Sequence, residues 1–259
     1  MTKDSGIVRL EQRGAVGVIT FDRPDARNAM TWEMYQDLDA AIDRIAREAS
    51  LRVVVLRGKG SHFVAGTDIA QFTKFTSAED GVAYERELER VVSKLESLHL
   101  ATVAAVEGYA VGAGLVLAAA CDVRVATPSA RFGVPIAKTV GNSLSMANYA
   151  RLVALLGASC TKAMLITADF ITAEQARSLG FVSHVVAPEI FDNELDALCD
   201  RVASHAPLTI QATKEAVRRI VNGAAEDDDD LIRRTYGSSD FHEGVAAFVE
   251  KRAARWQGR

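Results

Sequence analysis

A glycine-rich turn that runs directly into an apolar helix constrains this chain more than any other sequence feature. Residues 108–117 read GYAVGAGLVL, and the apolar run continues to Cys121. A turn of this kind directs backbone N–H groups and the positive end of a helix dipole toward one point. Such a point can hold a developing oxyanion without a charged side chain. Residues 115–117 contain no acid or base, so the turn predicts an oxyanion site without its own proton-transfer group.

Composition limits the remaining possibilities. The 259 residues are 49% apolar and 25% charged, which is typical of a globular α/β protein of one large or two small domains. A net charge of -4 argues against a nucleic-acid partner. Residues 1–6 lack the apolar core of a secretory signal, and the longest strongly apolar run, residues 110–121, is short for a membrane span of about 20 residues. We therefore expect neither a signal peptide nor a membrane segment.

Cysteine usage predicts the compartment. Cys121, Cys160 and Cys199 are odd in number and are not in CxxC spacing. This pattern favours buried, reduced side chains in a cytoplasmic protein and gives no structural zinc site. The acidic run 227–230 fits a solvated helix start better than a metal site, because carboxylates suit the helix dipole there. No metal is expected.

Hydrophobic periodicity divides the chain into an alternating part and a helical part. Buried runs predict strands at residues 7–10, 16–21, 53–56, 102–106 and 123–126, with helices at residues 31–47 and 78–98 between them. Beyond residue 144 we expect a helix over 145–156 ending at Gly157, a short helix from residue 172, a last strand over 181–186, and three or four helices thereafter. The predicted organisation is an α/β core over 1–190 and a helical region over 191–259.

Five segments in order resemble the crotonase superfamily, also called the enoyl-CoA hydratase/isomerase family, along nearly the whole chain. They are DRPDARNAM at 22–30, FVAGTDI at 63–69, the glycine turn with CDVR at 121–124, ITAEQA at 171–176 with LGFV at 179–182, and a tail with AP at 206–207, TKEA at 213–216 and EGVAAFVEKR at 243–252. Each segment is weak alone. Their shared order makes the resemblance specific.

The resemblance implies an α/β fold, namely a spiral of ββα units with a C-terminal helical region that packs in homotrimers, often paired into hexamers. It implies an acyl-CoA thioester as ligand, with coenzyme A arriving as part of the substrate and no tightly bound cofactor. The family stabilises an enolate or oxyanion of the thioester with two backbone N–H groups, which fall here on Thr67 and Ala113. Gly66 and Gly112 would let the backbone approach that ligand closely.

The chain departs from the family at the proton-transfer positions. Hydratases of the family use two glutamates, and these positions are occupied here by Val116 and by Ile136, which follows FGVP at 132–135. Some isomerases of the family add an aspartate further along, but residues 139–146 read TVGNSLSM without a carboxylate. General acid–base groups contribute roughly 10²–10⁴-fold each, so we expect standard hydration to be severely impaired.

Other candidate site residues follow from the same resemblance. Ala26 and Arg27 fall in the loop that contacts coenzyme A, and Lys251 matches a tail lysine that reaches the phosphate of a neighbouring subunit's coenzyme A. Further candidates for substrate contact are Ala65, Asp68, Ile69, Gly112, Asn142 and Ser143. Simpler roles remain open: Asp68 as a cap of the short helix after it, Ser143 or Ser145 as a cap of the next helix, and Lys251 as a solvated cation.

The helix from about residue 78 carries the nearest substitutes for the missing glutamates. Its buried stripe includes Tyr84 and Leu88, with Glu85 and Glu87 flanking the stripe and Glu89 further round toward water. Glu85 or Glu87 is a speculative relocated base, against the simpler interpretation of a solvated helix edge. His62, beside the 63–69 segment, is a weaker catalytic candidate.

Three functions remain open after the sequence analysis. The first is an enzyme of the lyase or isomerase class that forms a thioester enolate, similar to an enoyl-CoA hydratase or isomerase. The second is a divergent enzyme such as an acyl-CoA decarboxylase, in which loss of CO₂ forms the enolate without a strong base. The third is a non-catalytic acyl-CoA-binding scaffold, which is supported by the same substitutions at Val116 and Ile136 as the divergent enzyme.

Overall fold

The chain alternates strands and helices through its first 185 residues. The structure is a computed structural model that describes residues 5–221, 223 and 228–259. Its strands are β1 (Ile7–Arg13), β2 (Val16–Asp22), β3 (Val53–Gly58), β4 (Val64–Ala65), β5 (Ala101–Val106), β6 (Tyr109–Val111), β7 (Val123–Ala126), β8 (Arg131–Gly133), β9 (Ile171–Thr172) and β10 (His184–Val185). Its helices are α1 (Trp32–Arg47), α2 (Ala78–Glu96), α3 (Ala113–Ala120), α4 (Met146–Thr167), α5 (Ala173–Ser178), α6 (Phe191–Ala203), α7 (Pro207–Val221), α8 (Asp229–Tyr236) and α9 (Ser239–Val249).

The larger sheet has six strands in the order β1-β2-β3-β5-β7-β10, parallel except for the β1–β2 hairpin. Buried apolar residues dominate its central strands because both faces are covered. Alternate residues of β3 enter different clusters, with Val54 and Leu56 on one face and Val53 and Val55 on the other. Helix α6 covers the second face. The division into 1–190 and 191–259 stays a prediction, and α6 packs on the sheet of the first part.

The smaller sheet positions the glycine-rich turn. Its four strands have the order β4-β6-β8-β9, with β4, β6 and β8 parallel. The sequence analysis did not predict β6, which lies inside the GYAVG segment. Two or three residues per strand are too few for a periodic pattern to be recognised. Together the sheets give the mixed α/β architecture that the sequence predicts.

Most helix starts agree with the predicted caps. Thr31 accepts a hydrogen bond from the Met34 amide at 3.2 Å and begins α1, and Ser145 accepts one from the Asn148 amide at 3.2 Å and begins α4. The predicted end of the latter helix at Gly157 is confirmed. Gly157 leaves helical geometry with a φ of +78°, but the chain resumes as a helix to Thr167. The glycine therefore ends the first helical segment, and a second segment follows it across a kink.

The last strand is shorter than predicted, whereas the acidic run lies where the sequence predicts it. The last strand is only His184–Val185, because Phe181 and Val182 donate to the Ala176 carbonyl and form the turn that follows α5. The acidic run begins α8 as expected: Asp229 and Asp230 lie exposed in its first turn, while residue 227 falls outside the described residues.

Helix α4 is the one described helix that is long and apolar enough to cross a membrane, by length and composition alone. The apolar residues of α4 do not form an unbroken run, because polar residues are scattered among them, so its hydropathy was not evident from the sequence. Only 28% of its apolar window is buried in this chain. The same test is passed by helices of proteins without membrane spans, and Gly157 interrupts the helical backbone within this segment.

Two of the three cysteines are buried, as the sequence analysis expects, and the third is half-buried. Burial raises the pKa of the Cys121 thiol to about 12 and that of Cys199 to about 11. Both side chains therefore stay protonated at neutral pH and behave as small apolar groups.

Candidate active site

Two glycine turns lie side by side where β4 and β6 end. The strands pair in parallel, with Ala65 opposite Val111, so the residues that follow them emerge at the same edge. Gly66 and Gly112 come next, with φ of +86° and +54°. A Cβ atom on Gly112 would lie 3.6 Å from the Cα of Gly66, which is ordinary contact, so two bare backbones meet here. The positive φ at both positions favours glycine.

The amides of Thr67 and Ala113 directly follow these turns, and neither donates to any acceptor among the described residues. Ala113 is the first residue of α3, where helical geometry leaves the N–H unpaired. Thr67 pairs with Met30 in an isolated parallel bridge. Met30 bonds to the residues on either side of Thr67, so the Thr67 N–H points away from it. The site thus has two unpaired donors at one sheet edge.

A chain of hydroxyl groups fixes the Thr67 side chain. Its Oγ1 lies 2.7 Å from the hydroxyl of Tyr35 on α1 and 2.8 Å from the hydroxyl of Tyr84 on α2. Burial raises the pKa of both phenols, so both stay neutral. The sequence analysis placed Tyr84 only in an apolar stripe and did not single out Tyr35. The available signal was the tyrosine type itself, since a buried phenol normally finds a hydrogen-bond partner.

An aromatic cluster surrounds Tyr84 beside this network. The rings of Trp32, Phe72 and Phe75 have centroids within 5.0 to 6.2 Å of the Tyr84 ring. Phe72 lies in the 3₁₀ turn Ile69–Lys74, which begins two residues after Thr67. Aromatic side chains therefore surround the Tyr84 ring whose hydroxyl bonds Thr67.

Asp68 and Ile69 are placed by structural contacts. The Asp68 carboxylate accepts from the Ala70 amide at 3.1 Å, as the predicted cap, and forms an ion pair of 2.9 Å with Arg23. The Ile69 side chain is exposed. A substrate contact at either residue stays a prediction.

Val116 and Ile136, where the sequence analysis expects the family's glutamates, both contact the apolar core. Val116 is 1% exposed on α3, and Ile136 packs against the same cluster from the 3₁₀ turn Pro135–Ala137. The Gly112 amide donates to the Gly133 carbonyl at 2.9 Å and ties the two segments together. Neither side chain can exchange a proton, so any acid or base must come from another element.

The polar residues before α4 divide into exposed and capping groups. Asn142 and Ser143 are exposed, and the Ser143 hydroxyl lies 3.2 Å from that of Tyr149. Of the two serines proposed as caps, Ser145 caps the helix. A role for Asn142 or Ser143 in orienting a substrate stays a prediction.

The carboxylates of α2 occupy three different environments. Glu87 is 59% exposed and bonds Arg90 at 2.6 Å, and this contact lowers its pKa. Glu85 is half-buried and accepts from the Ser145 amide at 2.9 Å, and burial raises its pKa. Glu89 does not turn toward water as expected. It forms an ion pair of 3.1 Å with Arg151 of α4, which is a partner that no pattern within α2 could reveal.

The loop proposed to contact coenzyme A lies against the same sheet edge. The Ala65 amide donates to the Arg27 carbonyl at 3.0 Å, and Ala26 ends the 3₁₀ turn before it. The exposed Arg27 guanidinium lies over the Tyr109 ring at 5.5 Å. The His62 ring stacks on the Tyr109 ring with a centroid distance of 5.1 Å, and burial lowers the pKa of His62. An exposed cation and an aromatic surface thus flank the glycine turns.

Lys251 and a possible metal site remain to be located. Lys251 is exposed just beyond α9, with a φ of +55°. Within the described part of the chain, no group of three or more His, Cys, Asp or Glu side chains could hold a metal ion.

Comparison with known proteins places this geometry in a family. The model of the enoyl-CoA hydratase/isomerase family matches residues 11–259. The chain is 31% identical to the short-chain-enoyl-CoA hydratase of Clostridium acetobutylicum, covering 95% of each chain, and 32% identical to the 2,3-dehydroadipyl-CoA hydratase of Escherichia coli, covering 98% of each. Its structure matches a crystal structure of an enoyl-CoA hydratase/carnithine racemase from Magnetospirillum magneticum with a TM-score of 0.92, 30% identity and coverage of 98% and 96%.

The fold and the order of its motifs thus define an α/β protein of the crotonase type. The chain belongs to the enoyl-CoA hydratase/isomerase family, which confirms the resemblance on which the sequence analysis rests.

Proposed function

We propose that this protein acts on acyl-CoA thioesters and stabilises an enolate at the thioester carbonyl. The observation that carries the proposal is the pair of unpaired amides at Thr67 and Ala113, beside two facing glycines. Hydrogen-bond donors fixed where negative charge develops are worth about 10²–10³ in rate each. Several relatives are named as hydratases of CoA thioesters, which supports the same ligand class.

Coenzyme A enters this proposal as part of the substrate, without a tightly bound cofactor or a metal. Ala26 and Arg27 are proposed to contact it, because their loop is hydrogen-bonded to β4 directly before the oxyanion turn. Lys251 is proposed to reach the coenzyme A phosphate of a neighbouring subunit, where a cation acts as a point charge. The substrate contacts proposed for Gly112, Ala65, Asp68, Ile69, Asn142 and Ser143 belong to the same model.

The reaction we favour belongs to the lyase or isomerase class, with little ordinary hydration. Val116 and Ile136 stand where the family's hydratases have glutamates, so a water molecule lacks its usual base and acid. Double-bond migration needs one group that takes and returns a proton. Decarboxylation needs no base, since loss of CO₂ leaves the enolate, which then takes a proton from water.

A panel of enoyl-, malonyl- and β-oxoacyl-CoA thioesters tests the proposal, with product detection by mass spectrometry. We expect turnover of an enoyl thioester by isomerisation or of a malonyl thioester by loss of CO₂, and slow hydration of crotonyl-CoA. Crotonyl-CoA hydration at a rate ordinary for a hydratase would show that the catalytic groups are misassigned.

The second candidate is a non-catalytic acyl-CoA-binding scaffold. It is favoured by the same substitutions at Val116 and Ile136, because an intact oxyanion site binds a thioester even where no proton transfer follows. Tight binding across the panel without any product would favour the scaffold, and turnover of a single thioester removes it.

A homotrimer, or a hexamer built from two trimers, completes the proposed model in a cytoplasmic setting. Helices α7 to α9 expose large apolar side chains, with Phe248 86% exposed, and an apolar surface of this kind marks an interaction site. Light scattering of the purified protein measures the assembly directly. A monomer at micromolar concentration would contradict this part of the model.

A further inference from the structure

Glu85 lies on α2, next to Tyr84, and contacts the start of α4. It follows Tyr84, whose hydroxyl bonds Thr67 at 2.8 Å. The Glu85 carboxylate itself accepts the Ser145 amide at 2.9 Å, at the start of α4. This contact brings α2 to the segment that follows Ile136, and the Glu85 carboxylate also interacts electrostatically with Tyr35 and Tyr84, whose hydroxyls bond Thr67.

No cation bonds Glu85 among the described residues, in contrast to its neighbours. Glu87 is paired with Arg90, and Glu89 with Arg151, which is only 8% exposed. A half-buried carboxylate without a cation costs stability, because burial disfavours its charge. Residues kept at such a cost are often functional groups, since activity and stability make opposing demands.

Glu85 and Glu87, the two candidate bases of the sequence analysis, differ in burial and in pairing. Both glutamates flank the buried stripe of α2 by helical spacing, but only Glu85 is drawn inward. Its pKa is raised first by burial and then by Glu89, as expected for a base that must bind and release a proton. Glu87 has a lowered pKa and stays bound to Arg90, so it is a solvent-side ion pair.

We propose that Glu85 exchanges protons with the acyl carbons of the thioester held by the amides of Thr67 and Ala113. The proposal rests on the proposed function. The Glu85 carboxylate removes a proton from the carbon next to the thioester carbonyl, and the electrons of that C–H bond form the enolate double bond. The carbonyl π electrons move to oxygen, where the two N–H groups hold the charge. Glu85 then returns the proton to the terminal carbon of the conjugated enolate.

This step needs no oxidant, reductant or metal, and it moves a double bond from the β,γ to the α,β position. A single carboxylate suffices, because the same group takes the proton and gives it back. The inference therefore selects double-bond migration in a β,γ-unsaturated acyl thioester from the reactions that the oxyanion site permits.

But-3-enoyl-CoA in D₂O is the probe, with deuterium uptake followed by mass spectrometry and crotonyl-CoA formation followed by absorbance. We expect Glu85→Gln to lower both rates by roughly 10²–10⁴-fold, the usual contribution of a general base. Glu87→Gln, on the same helix, is the matched control and keeps the wild-type rate. The glutamine oxygen of the first variant still accepts the Ser145 amide, so its thermal melting temperature should stay near that of the wild type.

A second readout separates this inference from the proposed function. The infrared carbonyl stretch of a thioester labelled with carbon-13 falls when two N–H groups hold the oxygen, whether or not a base is present. Glu85→Gln should keep that shift and lose the exchange. Formation of crotonyl-CoA at the wild-type rate in Glu85→Gln would overturn the inference, as would a polarised carbonyl without any crotonyl-CoA formation in the wild type. Absence of the shift in the wild type would overturn the proposed function instead.

Discussion

The two halves of the candidate site differ in what they are made of. The oxyanion half consists of main chain, and its geometry follows from strand pairing and from Gly66 and Gly112. The opposite half consists of side chains, and we propose that Val116 and Ile136 stand at the positions of its proton-transfer groups. A backbone N–H donor remains after any substitution except one to proline, whereas a single substitution can remove a side-chain base. The fold can therefore keep its affinity for an oxyanion while its reaction changes.

The largest expected effect comes from removing one backbone donor. Ala113→Pro deletes the N–H that the proposed hole requires, at the first position of α3, where proline fits a helix. We expect deuterium uptake from but-3-enoyl-CoA to fall by about 10²–10³-fold, the usual cost of one oxyanion donor. The infrared shift of the bound carbonyl should shrink with it.

Ala113→Gly is the matched control for the proline variant. It retains the N–H and loses only a methyl group, so exchange and carbonyl shift should resemble those of the wild type. If the folded proline variant, checked by circular dichroism, exchanges deuterium as fast as the glycine variant, the backbone half does not act as proposed.

The next effect concerns the hydroxyl chain that supports the backbone half. Thr67→Val keeps the side-chain shape but removes the hydroxyl that joins Tyr35 to Tyr84. A buried polar group that loses its partner costs about 1–3 kcal/mol, so urea unfolding should show a loss of that size. Thr67→Ser keeps the hydroxyl and should recover most of the stability. Equal midpoints for the valine and serine variants would mean that the chain of hydroxyls adds nothing.

The pH dependence of exchange sharpens the comparison on the side-chain half. A base works when deprotonated, so exchange should rise with pH through the pKa of Glu85, by roughly tenfold per unit on the acid side. Burial and Glu89 raise that pKa, while Arg151 holds Glu89 and the phenols of Tyr35 and Tyr84 stay neutral. The acid limb should therefore lie above the ordinary glutamate value of about 4.5.

Rates of the wild type and of Glu87→Gln between about pH 4 and about pH 8 measure this limb. The two profiles should coincide, because the pKa of Glu87 is lowered and its titration falls below the limb. A limb that lies below the ordinary glutamate value, or that moves in Glu87→Gln, would assign proton transfer to a group other than Glu85.

Sequence patterns predicted the parts of this molecule that depend on local chemistry. Residues 53–56 of β3 and 103–106 of β5 are continuous apolar runs, and Thr31 and Ser145 are capping residues with helices directly after them. The glycine turn was recognisable for the same reason, since its positive φ values require glycine. These features need no knowledge of distant residues.

The parts that escaped prediction depend on contacts between distant elements. Thr67 meets Tyr35 and Tyr84 across separations of 32 and 17 residues, and no periodicity reports such a meeting. Helical spacing also placed Glu89 toward water, because a wheel for α2 does not include Arg151 from α4. Glu85 and Glu87 looked equivalent until packing buried one and left the other exposed.

The smallest expected effect tests coenzyme A binding rather than chemistry. Lys251→Ala removes an exposed cation that we propose contacts a phosphate across a subunit boundary. Exposed ion pairs contribute about 0.2–1 kcal/mol, so coenzyme A affinity measured by calorimetry should fall roughly two- to fivefold at most. High salt should abolish the difference, because it screens exposed charges. Lys162→Ala, another exposed lysine, should leave affinity unchanged. Equal losses for both lysine variants would reduce the effect to net charge, whereas a loss specific to Lys251 separates phosphate binding from the backbone and side-chain halves of the site.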